Sequence, residues 1–191
     1  KENIQLLIEE GVIDFENQKF NISDLPMHGK HNLSNAVIAM YAASLHGISP
    51  KDSFLALKNS KGVKRRFETV FQNDHKIVID DFAHHPTAIS NTVQAATNYF
   101  PSKRILGIIE LASNTMSQGH HGEDLYESAS GLGKAYWLNL SSQKNKEFEY
   151  DSIKLLLTDL EKDIDNFDVI LIMSNKDSKK ISEPIIDLIK N

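Results

Sequence analysis

Ile105-Leu106-Gly107-Ile108-Ile109 and Val169-Ile170-Leu171-Ile172-Met173 are uninterrupted apolar runs of strand length. A strand with one wet face alternates apolar and polar residues, so a run without alternation has to be covered on both faces, as an inner strand of a parallel sheet is. Outward from these two, strand candidates lie at 68–72, 76–80, 104–110, 134–140 and 168–174, with helical stretches at 86–99, 121–131, 150–163 and about 181–190. That alternation predicts an α/β, Rossmann-like domain over 61–191, a mostly parallel sheet with helices on both faces. The first two strands sit close enough to form a hairpin about Asn73-Asp74, so one antiparallel strand is expected.

The first 60 residues follow a different grammar. Residues 4–10 read as a short helix, and 12–15 and 20–22 as brief strands separated by the breaks at Gly11 and Asn17. Over 32–45, Leu33, Val37, Met40, Tyr41 and Leu45 recur at helical spacing among Ala36, Ala39, Ala42 and Ala43, which let another element approach closely. Gly47 closes that helix, and Pro50 opens a segment with a second helix at 52–58. The polar and basic stretch 59–66 reads as a linker. This is a thin start for a domain and looks like the tail of a larger one. The first residue is Lys1 rather than Met, so the chain is expected to be an excised or processed piece.

Composition narrows the function classes. The chain has 191 residues, 40% hydrophobic and 25% charged, which places it among globular proteins. Twenty-one Lys and Arg against 26 Asp and Glu give a net charge of −5, which disfavours a general nucleic-acid binder. No stretch approaches the ~20 apolar residues that span a bilayer, and no basic-then-apolar leader is seen. The absence of cysteine excludes disulfides, thiolate metal sites and Cys nucleophiles, and fits a reducing compartment.

Reactive groups in open α/β sheets sit past the carboxyl ends of the strands. Three such places are polar here. Asp80-Asp81-Phe82-Ala83-His84-His85-Pro86-Thr87 opens a helix, where free amides favour anions, a carboxylate can grip ribose hydroxyls or a metal, and imidazoles can donate to a charged substrate. An acidic turn with a histidine near a helix cap is the competing reading. Glu110-Leu111-Ala112-Ser113-Asn114-Thr115 and Ser174-Asn175-Lys176-Asp177 carry side chains that either cap the next helix or serve a ligand. Upstream, Asn32 and Asn35 stand three apart in the first turn of a helix, suited to reading a purine edge or to capping. Lys64-Arg65-Arg66 is either a phosphate clamp or a solvated basic linker. No G-x-x-x-x-G-K-[ST] loop, no G-x-G-x-x-G after a strand and no G-x-S-x-G elbow is present, and His84-His85 and His120-His121 lack carboxylates at zinc spacing.

Taken in order, Gly29 to Asn35 with the alanine-rich helix behind it, Val63 to Glu68, Asp80 to Ile89, and Ser113 to Met116 resemble the motifs of the Mur ligases. Within that family, Ser-Asn-Thr-Met is similar to the recycling branch, which joins UDP-N-acetylmuramate to L-alanyl-γ-D-glutamyl-meso-diaminopimelate. The resemblance covers about residues 11–175. It implies that 1–60 is the end of the family's central ATP-binding domain and 61–191 the whole C-terminal domain, the phosphate-binding loop lying upstream.

The resemblance also implies a cytoplasmic enzyme of peptidoglycan recycling, using ATP and Mg2+ held mainly by the upstream domain. ATP phosphorylates the muramyl carboxylate, an amine attacks the acyl phosphate, and the tetrahedral intermediate collapses to an amide. By the same resemblance Asn32 and Asn35 contact adenine, Arg66 bridges to the ATP phosphates and Asp81 holds the ribose hydroxyls. His84 lies near the transferred phosphate and the incoming peptide, and Ser113 and Asn114 lie on the peptide side. Domain closure forms the ATP site, so 59–66 is a hinge. The expected partners are UDP-N-acetylmuramate, a tripeptide or amino acid, and the upstream domains of the same chain, with no nucleic acid, membrane or bound structural metal. Arg66→Ala or Asp81→Ala is expected to weaken ATP use without unfolding the protein, and 1–191 alone to ligate nothing.

Two departures from the family pattern stand out. Ala112 occupies the place of an arginine expected to meet a substrate carboxylate, and Lys176-Asp177-Ser178-Lys179 replaces a glycine-rich segment. Two alternatives therefore stay open: another Mur ligase, such as one adding L-alanine, or a non-catalytic ligand-binding domain.

Overall fold

A computed structural model describes residues 6–9, 11–27, 29–141, 146 and 148–190. The chain divides into two compact units, Lys1–Lys64 and Arg65–Asn191.

In the first unit, strands β1 (Leu6–Glu9), β2 (Val12–Phe15) and β3 (Gln18–Asn21) form an antiparallel meander. Glu16 and Asn17, both with positive φ, make the two-residue turn whose twist suits a tight hairpin. The helix expected over 4–10 is corrected: residues 6–9 are a strand, and 4, 5 and 10 lie outside the described residues. An isolated helix of that length is marginal, whereas Leu6 and Ile8 find ladder partners in Phe15 and Ile13. Helix α1 spans Lys30–Ser44, and α2 spans Pro50–Lys58. The second begins two residues earlier than expected, because Ser49 caps it through the Asp52 N–H and Pro50 fits its first position. Ile13, Phe15, Ala36, Val37, Met40 and Phe54 form the core, and Phe20 stacks on Phe54.

In the second unit, β4 (Glu68–Gln72), β5 (Ile77–Asp81), β6 (Ile105–Glu110), β7 (Lys134–Leu138), β8 (Glu149–Tyr150) and β9 (Val169–Met173) form one sheet. Its order is β4-β5-β9-β6-β7-β8. Every pairing is parallel except the β4–β5 hairpin, as the sequence leads one to expect. The connecting helices are α3 (Pro86–Tyr99), α4 (Asn114–Ser117), α5 (Gly122–Glu127), α6 (Ile153–Asp163) and α7 (Lys179–Lys190). The helix expected over 121–131 is shorter, ending at Glu127.

Strand side chains alternate between two cores. Ile79, Ile105, Ile109 and Leu171 pack with Ile89, Val93 and Leu125 of α3 and α5. Val78, Leu106, Ile108, Ile170 and Ile172 pack with Leu156, Leu160, Ile181 and Ile185 of α6 and α7. The apolar runs are thus buried on both faces, in the α/β architecture expected. Among the described residues no helix is long and apolar enough to cross a membrane.

Candidate functional site

The register sets Asp81, Met173 and Ile109 level across three adjacent strands, so the chain leaves β5, β9 and β6 along one edge. Adjacent residues of a strand face opposite sides, and Asp80 and Asp81 part accordingly. Asp81 turns toward α3 and is 1% exposed. Its Oδ1 accepts from the Ala83 N–H at 2.8 Å and the Thr92 hydroxyl at 3.1 Å, and its Oδ2 accepts from the Phe67 N–H at 2.8 Å. Asp80 turns the other way, accepts from the Ser178 hydroxyl at 2.6 Å and lies 3.4 Å from Arg65 Nε. Burial pushes the Asp80 carboxyl above its ordinary range, the Ser178 hydroxyl and the Arg65 guanidinium oppose that, and Glu68 and Asp81 reinforce it.

Arg65, Arg66 and Phe67 lead into β4. Arg65 and Phe67 both hold positive φ, 58° and 57°, a conformation that costs a non-glycine residue ~1–3 kcal/mol unless its surroundings impose it. Here they do. The Arg65 N–H donates to Glu68 Oε2 at 2.8 Å, its carbonyl accepts from the Phe82 N–H at 2.8 Å, and Asp81 fixes Phe67. Arg65 also donates through Nη2 to the Ser174 carbonyl at 2.5 Å. Arg66, between two pinned residues, is exposed, and its guanidinium meets the Phe82 ring at 5.5 Å.

His84 is half-buried with Nδ1 2.8 Å from the Phe82 carbonyl. A carbonyl only accepts, so Nδ1 carries the proton and Nε2 of the neutral ring is left as an acceptor. Beside it the rings of His84 and His85 lie 4.4 Å apart, and those of His85 and His121 lie 5.8 Å apart. Deeper in, the Ser174 hydroxyl donates to the buried Glu110 carboxylate.

Arg65 Nε, Asp80 Oδ1, Asn175 Oδ1 and His121 Nε2 are buried with no hydrogen-bond partner among the described residues. Native structures hold few such atoms; here Asp80 and Asn175 lie at and after the carboxyl ends of β5 and β9, Arg65 just before β4, and His121 at the start of α5. No group of three or more His, Asp or Glu that could hold a metal ion is found among the described residues.

Of the residues singled out from sequence, Arg66, Asp81 and His84 come together around Phe82 and the end of β5. Ser113 has its Oγ 3.4 Å from the Met116 N–H, the geometry of a cap on α4. Asn114 opens α4, and its side chain lies outside the described residues. Asn32 and Asn35 belong to the first unit, on the first turns of α1; Asn32 is buried and Asn35 exposed. Thr92, Ser178, His121 and Phe82 were not assigned from sequence. Only Phe82 carried a signal, an aromatic residue in an otherwise polar strand-end motif.

Burial first, then the neighbouring His84 and His121, pushes the His85 imidazole below its ordinary value. His85 therefore binds a proton less readily folded than unfolded. Its contribution to stability is present at neutral pH and is lost as pH falls from about 6.5 through the lowered value. An NMR titration is expected to show the His85 ring protonating at lower pH than a free imidazole, and His121→Ala raising that midpoint. An unperturbed His85 midpoint in the parent chain would contradict this.

Comparison with known proteins gives one family match, two similar relatives and one similar solved structure. The family model described as the Mur ligase, glutamate ligase domain, matches residues 65–176. A UDP-N-acetylmuramate–L-alanine ligase of Christiangramia forsetii is 37% identical over 156 residues, 78% of this chain and 34% of that protein. A UDP-N-acetylmuramate–L-alanyl-γ-D-glutamyl-meso-2,6-diaminoheptandioate ligase of Haemophilus influenzae is 40% identical over 108 residues, 56% of this chain and 23% of that protein. The crystal structure of a murein peptide ligase from Psychrobacter arcticus matches with a TM-score of 0.69 at 28% identity, covering 98% of this chain and 44% of that one. The chain spans less than half the length of these relatives.

Proposed function

Since the chain belongs to the Mur ligase family, we propose that it is the C-terminal part of a cytoplasmic ATP-dependent ligase of peptidoglycan recycling. That enzyme joins the carboxyl of UDP-N-acetylmuramate to the amine of L-alanyl-γ-D-glutamyl-meso-diaminopimelate. Residues 1–60 are, on this reading, the end of the central ATP-binding domain. In support, α1 buries Val37 and Met40 yet leaves Ile38 62% and Tyr41 40% exposed, and Leu45 just past its end is 66% exposed, a second apolar stripe suited to packing inside a larger domain.

The observation that carries the reading is Arg66: an exposed guanidinium on a residue between two pinned, left-handed ones, meeting the Phe82 ring that His84 also meets. A carboxylate oxygen attacks the γ-phosphorus and ADP leaves; the amine then attacks the acyl carbon, loses its proton, and phosphate departs as the amide forms. Charge accumulates on the phosphoryl oxygens, and the Arg66 fork neutralises it. His84 lies near the transferred phosphate and the incoming peptide. Asn32 and Asn35 take the adenine, and Ser113 and Asn114 the peptide. A ribose contact by Asp81 belongs to this reading and requires Oδ2 to serve the Phe67 N–H and a sugar hydroxyl together. The magnesium ion that accompanies ATP belongs, on this reading, mainly to the upstream part of the enzyme.

A second reading takes L-alanine as the amine, and the 37% identity to a UDP-N-acetylmuramate–L-alanine ligase favours it. The two separate in one assay of the full-length enzyme with ATP and UDP-N-acetylmuramate. Phosphate release with the tripeptide and not with L-alanine is expected, and residues 1–191 alone are expected to release none. Turnover with L-alanine only would overturn the tripeptide assignment.

A further inference from the structure

Phe82 follows β5 in the middle of the polar strand-end motif. Its ring is half-buried and belongs to neither hydrophobic core of the second unit. Its neighbours are polar instead. The Arg65 and Arg66 guanidinium carbons lie 5.1 and 5.5 Å from the ring centroid, and the His84 ring meets it edge-on at 5.1 Å and 78°. The backbone of Phe82 engages the same segments, its N–H donating to the Arg65 carbonyl and its carbonyl accepting from His84 Nδ1. An aromatic face attracts a guanidinium through its quadrupole, and an edge-on ring contact is favourable for the same reason.

The two arginines depend on this ring unequally. Arg65 is also held by the Ser174 carbonyl and lies 3.4 Å from Asp80. For the Arg66 guanidinium, the Phe82 ring is the one cation–π partner among the described residues, with no hydrogen bond or ion pair beside it.

We propose that Phe82 is a positioning residue: its ring is the platform that presents the Arg66 guanidinium and orients the His84 imidazole, so that groups from two separate segments act on one phosphoryl group. The proposal rests on the ligase reading for its chemistry and on the ring geometry for its structure. It assigns a role in catalysis to a side chain that itself touches no substrate. Because misplacing a charge-neutralising group by about 1 Å can cost ~100-fold in rate, loss of the platform should act on turnover more than on binding.

The test uses the full-length enzyme with ATP, UDP-N-acetylmuramate and the tripeptide, comparing Phe82→Leu and Phe82→Tyr with the parent. Phe82→Leu is expected to lower kcat about tenfold or more while KM for ATP changes by less than about threefold, and Phe82→Tyr to restore kcat to within about threefold. In the same protein labelled at arginine, the Arg66 side-chain resonances are expected to show an aromatic ring-current shift in the parent and in Phe82→Tyr, and none in Phe82→Leu. A Phe82→Leu enzyme within about twofold of the parent, a Phe82→Tyr enzyme as slow as Phe82→Leu, or an Arg66 signal unmoved by loss of the ring would each overturn the proposal. A parent enzyme that turns over neither amine defeats the ligase reading instead, and the arginine signal then decides alone whether the ring holds Arg66.

Discussion

Replacing Asp81 with alanine is expected to destabilise the second unit by more than about 3 kcal/mol, because three buried donors lose a charged acceptor at once. The Phe67 and Ala83 N–H groups and the Thr92 hydroxyl all converge on this carboxylate. At 1% exposure the site has no bulk solvent to stand in for it. The loss also removes a hydrogen bond that helps keep Phe67 at positive φ. The expectation from sequence, that Asp81→Ala spares the fold, gives way to this one. Trp137, the only tryptophan in the sequence, is buried in the sheet of the second unit and reports on its unfolding. Urea unfolding followed at Trp137 should show a midpoint lower by at least about 1 M in Asp81→Ala, for a slope of ~1–3 kcal/mol/M. Asp81→Asn keeps one accepting oxygen and should fall between the two. A midpoint shared by the parent and Asp81→Ala would mean that these hydrogen bonds do not hold the segment.

The second large effect is on chemistry rather than stability. Arg66 is exposed, and Phe82 aside its guanidinium meets no partner among the described residues, so Arg66→Ala should change stability by no more than about 0.5 kcal/mol. In the full-length enzyme the same change should lower kcat for phosphate release by about 10²-fold or more, the usual consequence of removing one donor from a developing phosphoryl charge. Arg66→Lys should recover only part of this, since an ammonium lacks the planar fork. A kcat within about threefold of the parent in Arg66→Ala would remove the residue from the reaction. Measured together, Asp81→Ala and Arg66→Ala separate a carboxylate that builds the site from a cation that works in it.

The architecture of the second unit was legible because burial on both faces leaves its mark on composition. Ile105–Ile109 and Val169–Met173 admit hardly any other reading, and Asn73-Asp74 lies where a hairpin turn is needed. The sheet order was not legible. That β9, the last strand of the chain, sits between β5 and β6 is a matter of which edges meet, and both edges of an inner strand are equally apolar. The strand at 6–9 was missed because Leu-Leu-Ile-Glu has no period of its own, and the ladder with β2 decides its state. At the site, the motifs drew attention to the strand ends but not to the division of labour there. Period-two alternation separates Asp80 from Asp81, and that much can be read from a strand. That Ser178 answers one, that Thr92 and the Phe67 backbone answer the other, and that Arg65 and Phe67 are held in left-handed conformations depend on long-range packing. The proximity of His121 to His85 joins α5 to α3 and has no counterpart in local sequence.

On the proposed reading, this chain serves a ligase that activates a carboxylate as an acyl phosphate. That activation is tested most directly by following oxygen. The full-length enzyme is supplied with ATP, the tripeptide and UDP-N-acetylmuramate carrying ¹⁸O in its carboxylate, and the released phosphate is examined by mass spectrometry. One carboxylate oxygen should appear in each phosphate formed, because the oxygen that attacks the γ-phosphorus leaves with it when the amine takes the acyl carbon. Phosphate released without the label would mean that water, not the muramyl carboxylate, receives the phosphoryl group, and the account given for Arg66 and His84 would be wrong.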